Sequence, residues 1–183
     1  MTDCLQAYPD GVIVSLDQMS LYFQATLTRV WAKRGQTPTL RVATQPDYVH
    51  FDGALNVRSG HEGALTVPKQ SSEMTDHFLD HLQACYPDRP LLIRWDRAKW
   101  HKGQQVQNYL AQRSHLQTLH FPPGCPPLNP QEPVWERTRE AVSHKHTRKD
   151  FPAWVQAFCH HLEQTCFKFN WIEKYAPPIL LAV

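Results

Sequence analysis

The chain lacks several things that would narrow its class. It has no apolar run longer than a few residues, no CxxC pair, only 7 glycines and a net charge of just +2. A bilayer-spanning helix needs about 20 apolar residues, so none is expected. The five cysteines, Cys4, Cys85, Cys125, Cys159 and Cys166, are odd in number and widely spaced, which excludes a disulfide scaffold and the paired spacing of a zinc module. No secretory signal opens the sequence, and a soluble protein of a reducing, cytoplasmic compartment is expected. With so small a net charge, affinity for a polyanion has to come from local clusters.

What is present is globular. Of 183 residues, 42% are hydrophobic and 20% charged, the balance of a chain that buries a core, and the length suits one domain. The 15 prolines gather into two stretches and predict two rigid loops.

GVIVSLD at residues 11–17 reads as a buried strand stopping at an acid, and LLIRWD at 91–96 repeats that pattern. Further extended segments are expected at 20–29 and 40–57, with a turn at 33–38, as an antiparallel meander. Helical spacing follows Ser71 or Ser72 through Met74, Phe78, Leu82 and Cys85 to the turn at 87–90. After 91–96 come a polar helix over 103–113, a strand at 116–121 and the loop PPGCPPLNP. A helix is expected from 129–133 through Val134, Trp135, Thr138, Ala141 and Val142. Another is capped by Asp150 and uses Val155, Phe158, Leu162 and Cys166. Strands first, then strands alternating with helices, predict a mixed α/β sheet with helices on its faces.

In such sheets, sites form at the carboxyl ends of strands, where Asp17 and Asp96 are expected as near neighbours. Two adjacent carboxylates repel each other, and a hard divalent cation relieves the conflict. Glu132, after 35 further residues, is the candidate third acid. Each acid alone also has a structural reading. A strand-terminal Asp is a common turn residue, and Glu132 stands where a capping box over Asn129 and Pro130 would want it. His101 could touch a phosphate, donate to a carboxylate or pack with Trp100, and donation to a carboxylate is the favoured reading.

IRWDRAKWHKGQQVQNYL at 93–110 and LQTLHFPPGCPPLNPQEPVWERTRE at 116–140, with VSLDQMS around Asp17, closely resemble the catalytic domain of DDE transposases of the mariner superfamily, the bacterial insertion-sequence branch best. The resemblance runs from about residue 12 to 142. It departs at Gln18, where many relatives have Glu, and at Arg97, where Asn is common; neither change removes a carboxylate.

The resemblance implies an RNase H-like core over about 11–145, with a C-terminal helix and tail over 150–183, all in one domain spanning 1–183. It implies that Asp17, Asp96 and Glu132 are the catalytic triad and hold two Mg²⁺ ions, for which Mn²⁺ substitutes. It implies cleavage of DNA at transposon ends and strand transfer into target DNA. No helix-turn-helix module fits ahead of Asp17, so a separately encoded DNA-binding part is the expected partner, a homodimer is compatible, and no membrane is involved. The alternative is a domesticated or inactive DNA-binding or dimerisation module.

Basic residues flank the acids: Arg94, Arg97, Lys99 and Lys102 around Asp96, and Arg137, Arg139, Lys145, Arg148 and Lys149 after Glu132, with His144 and His146 between. Arg29, Lys33, Arg34 and Arg41 extend the set. Such runs are ordinarily solvated faces; beside an acidic site they are placed to contact DNA phosphates. The six tryptophans lack regular spacing and are expected mainly in the core.

Overall fold

Alternation along the first strand divides the core into two halves. In β1 (Val12–Tyr22), Val12, Val14 and Leu16 face one side of the sheet and Met19 and Leu21 the other. The computed structural model describes residues 10–24, 31–36, 39, 47–124, 128–144, 146 and 150–175. Within them β1 is followed by β2 (Tyr48–Asn56), β3 (Glu62–Val67), α1 (Ser72–Cys85) and β4 (Leu91–Trp95). A short 3₁₀ turn (Trp100–Lys102), α2 (Gln104–Ala111) and β5 (Leu116–His120) come next. The described chain ends with α3 (Gln131–Thr138), widened into a π-turn over Arg139–Ser143, then α4 (Phe151–Gln164) and α5 (Asn170–Tyr175).

The strands form one sheet in the order β3-β2-β1-β4-β5. β1 pairs antiparallel with β2 and parallel with β4; β2 and β3 are antiparallel, and β4 and β5 parallel. On one face Val12, Val14, Leu16, Ile93 and Trp95 pack with Phe78, Leu79 and Leu82 of α1 and Val106 of α2. On the other, Met19, Leu21, Phe51 and Leu55 meet Val134 and Trp135 of α3 and Trp154, Phe158 and Leu162 of α4. Each of these large apolar side chains contributes roughly 1.5–3 kcal/mol by leaving water.

The helix starts follow their capping residues. Ser71 Oγ accepts from the Met74 amide at 3.3 Å and Asp150 Oδ1 from the Ala153 amide at 3.1 Å. α1 stops at the 87–90 turn, where Asp88 takes a left-handed φ of 59°.

Four expectations need correction. β1 does not stop at Asp17 but runs to Tyr22, absorbing the start of the segment expected at 20–29. Of the strand expected over 40–57, the described residues form Tyr48–Asn56, and β3 was not foreseen. Beyond Asp17 the chain stays paired with β2, so the acid interrupts only the apolar run. α4 ends at Gln164, and Cys166 lies past it with Sγ donating to the Ser59 carbonyl at 3.2 Å. Residues 25–30, 40–46, 145, 147–149 and 176–183 lie outside the described residues.

Asp52 is a buried acid on the α1 face. It is the cross-strand partner of Gln18, whose Nε2 donates to Oδ1 at 2.5 Å. Burial pushes its carboxyl up to about 7. The folded chain therefore keeps a proton that the unfolded chain releases near pH 4, and stability falls as pH rises from about 4 to about 7. Asp52→Asn should flatten the decline of the thermal midpoint between pH 5 and pH 8. A decline as steep as the parent's would mean that Asp52 is already ionised in the fold.

Candidate active site

The parallel pairing of β1 and β4 decides where the first two acids stand. Ser15 is level with Arg94, and the same register continued just past β4 brings Asp96 level with Asp17 on the neighbouring strand. Both then belong to the sheet face that α3 covers. Asp17 is a mid-strand residue whose antiparallel partner is Gly53, and Asp96 is the first residue after β4. The expected adjacency of their strands is observed.

The third acid arrives on α3. Asn129 Oδ1 accepts from Ser15 Oγ at 2.7 Å and from the Gln131 amide at 3.1 Å, and its carbonyl accepts from the Glu132 amide at 3.2 Å. The asparagine thus caps the helix and ties its first turn to β1. Glu132 is exposed and lines a cavity of about 440 Å³ together with Asp17, Asp96, Arg97, Asn129 and the loop residues Phe121 to Gly124. Glu132 thus borders the cavity from a first turn that Asn129 holds.

The two aspartates differ electrostatically. Burial, then the Glu132 charge and the nearby Asp96, push Asp17 up to about 7; the Gln18 amide and the Trp135 indole act the other way. Asp96 is held below the usual carboxylate range, first by the hydrogen bond from His101. His101 Nδ1 lies 2.9 Å from Asp96 Oδ1, and the Ala98 amide donates to the same oxygen at 2.9 Å. Both contacts fall on Oδ1, which leaves Oδ2 for the cavity.

His101 is itself well fixed. It is buried, stacked nearly parallel on Trp95 at 4.6 Å, and sits in a turn held by Ser72 Oγ donating to the Trp100 carbonyl at 2.9 Å. Its ring thus stands in fixed contact with the Asp96 carboxylate.

Of the basic residues, Arg97 lines the cavity, with Nε donating to the Phe121 carbonyl at 3.3 Å. Lys99 and Lys102 are exposed in the segment after Asp96. Arg137 instead lies over the Phe169 ring at 4.3 Å, and Arg139 contacts Met19 Sδ. His146 is buried, donates from Nε2 to the Phe23 carbonyl at 2.8 Å, and packs with Trp154. Neither Arg137 nor His146 borders the cavity. Lys145, Arg148 and Lys149 lie outside the described residues, as do Arg29 and Arg41.

Sequence reasoning missed Glu62. Its carboxyl is buried and pushed well above the usual range, chiefly by desolvation, with Asp17 adding to the effect. Oε1 accepts from Gln131 Nε2 at 2.7 Å. An acid at the start of a hairpin strand reads as a solvated turn residue, and only the sheet reveals what lies over it.

The DDE superfamily endonuclease model matches residues 12–154. Among curated proteins none matches the sequence. In three dimensions the chain is similar to the Mos1 mariner paired-end complex with Mn, with a TM-score of 0.69 at 15% identity, covering 98% of this chain and 57% of that one. It is similar to the Mos1 strand transfer complex, with a TM-score of 0.64 at 14% identity, covering 88% and 51%. It is also similar to the simian T-cell lymphotropic virus intasome in complex with PP2A regulatory subunit B56 gamma, with a TM-score of 0.60 at 14% identity, covering 93% and 56%. The chain spans about half the length of these matches. At such identities the likeness establishes the fold, which is RNase H-like. A family match that begins with the first residue of β1 and reaches into α4 covers most of the sequence, and the chain belongs to the DDE superfamily endonuclease family.

Proposed function

We propose that this chain is the catalytic domain of a transposase, in which Asp17, Asp96 and Glu132 hold two Mg²⁺ ions and DNA phosphodiester bonds are cut and rejoined. The observation that carries the reading is that acids from β1, from the end of β4 and from the first turn of α3 line one cavity. Asp17 is also raised by both of the others.

The donor set fits such ions. Three hard carboxylates with an uncompensated repulsion at Asp17 favour a cation, and oxygen ligands suit Mg²⁺, with Mn²⁺ as a substitute. Among the described residues no group of three acidic, His or Cys side chains is already close enough to enclose an ion. When bound, the ions would neutralise charge building on the phosphate and activate the attacking and leaving oxygens.

The protein's own groups bind and orient. Asp17, central in the sheet, faces both other acids. His101 and the Ala98 amide stand against one oxygen of Asp96 and orient it, and Asn129 sets the first turn of α3 and with it Glu132. Arg97, braced by the Phe121 carbonyl, is placed to pair with a phosphate oxygen at the cavity mouth. Water is the nucleophile in the cleavage that frees a transposon end, and a DNA 3′ hydroxyl is the nucleophile in strand transfer. The paired-end and strand transfer complexes of Mos1 support transposon ends as substrate and strand transfer as activity.

Asp17→Asn, Asp96→Asn and Glu132→Gln should each cut Mg²⁺-dependent nicking of a supercoiled plasmid by at least about a hundredfold. All three should stay folded, and the metal-free Asp17→Asn protein should melt higher than the parent at pH 8. Normal nicking by any one would remove that residue from the triad. Ca²⁺ in place of Mg²⁺ should allow DNA binding with little turnover; equal rates would count against metal-assisted chemistry. Replacing Arg97, Lys99 and Lys102 together with Ala should reduce the slope of log affinity against log salt by roughly 0.9 for every DNA phosphate these side chains neutralise. An unchanged slope would make these three a solvated face.

A further inference from the structure

We propose that Glu62, acting through Gln131, is a positioning residue that fixes the first turn of α3 and so sets where Glu132 stands relative to Asp17. This inference rests on the reading of the three acids given above and deepens it.

Glu62 opens β3, two strands away from β1. Its carboxyl reaches across β2 because the intervening residue is Gly53, the partner of Asp17. A Cβ at that position would stand 2.6 Å from Glu62 Oε1 and 2.3 Å from Trp135 Cη2. Glycine is needed there for close approach, whatever its backbone angles. In the space it leaves, Glu62 Oε1 accepts from Gln131 Nε2 at 2.7 Å. The Ala54 amide hydrogen-bonds to the same carboxyl group.

Gln131 is completely buried, and its backbone amide donates to Asn129 Oδ1, which also accepts from Ser15 Oγ. The start of α3 is therefore tied at two points, to β1 through Ser15 and Asn129 and to β3 through Gln131 and Glu62. Glu132 is the next residue. One tether would let the turn pivot about Asn129; the second removes that freedom. Glu62 is not among the residues lining the cavity, so its effect on the site passes through Gln131. A buried carboxyl costs more than an apolar side chain of equal size, and the tether is what it provides in return.

The test uses the full chain, with Mn²⁺ as the probe in calorimetric titration, alongside thermal melting and the Mg²⁺ concentration that half-saturates plasmid nicking. Glu62→Ala should melt no lower than the parent yet weaken Mn²⁺ binding about tenfold or more and raise the half-saturating Mg²⁺ concentration. Glu62→Gln keeps an oxygen that accepts from Gln131 Nε2 and should restore both values to within about twofold. Unaltered Mn²⁺ affinity in Glu62→Ala would overturn the proposal, as would a Glu62→Gln variant as weak as Glu62→Ala. Should Glu62→Ala fail to fold, Gln131→Met removes the other half of the tether. The same loss supports the proposal and parental affinity overturns it. A parent chain that binds Mn²⁺ but nicks no DNA would sink the functional reading while the titration still decides the role of Glu62. A parent that binds no Mn²⁺ overturns both.

Discussion

The register between β1 and β4 is the constraint on which the rest depends. Four successive pairs, from Val12 with Leu91 to Ser15 with Arg94, lock two parallel strands so that the next two residues on each bring Asp17 and Asp96 level. Both carboxylates then stand on one face of neighbouring strands, where the Asp96 charge adds to the rise of Asp17. A slip of one residue would turn one acid to the opposite face and remove the conflict. The buried pairs Val14 with Ile93 and Leu16 with Trp95, packed under α1, prevent that slip. The apolar core on one face thus enforces an electrostatic strain on the other.

The strain is not shared evenly. Asp96 is exposed and held below the usual carboxylate range, whereas Asp17 has burial first and then two acidic neighbours against it. In the metal-free protein Asp17 therefore carries a proton for part of the time near neutral pH, and cation binding would have to displace that proton.

Much of this was legible in the sequence, for identifiable reasons. Both apolar strands ending in Asp, the Ser71 and Asp150 caps and the Asn-Pro start of α3 are local signals, and local signals survive folding. The course of β1 beyond Asp17 was not legible, because an acid in an apolar run reads as its end. The pairs from Gln18 with Asp52 to Tyr22 with Tyr48 show the strand continuing past it. β3 was missed because GHEGALTV offers two glycines and a short run, whereas its stability comes from pairing with β2 and from the helix packed across it. Arg137 and His146 were grouped with DNA-contacting charges on composition. Their contacts with Phe169 and Phe23 are tertiary and leave no mark in the spacing.

The same logic explains why the acids line an open cavity and do not form a closed cage. A preformed cage would hold three carboxylates at ligand distance with no ion between them, at a cost that the folding energy of a small domain would have to absorb. Here the described residues stop short of that geometry. Asp17 and Asp96 are set by the sheet, whereas Glu132 sits exposed on the first turn of a helix. Of the two acids beside Asp17, Glu132 raises it more than Asp96 does, and Glu132 completes the set. Tethering α3 at Asn129 and Gln131 limits movement of Glu132 to its side chain. An ion arriving with its phosphate would then draw in a carboxylate whose backbone already stands in place.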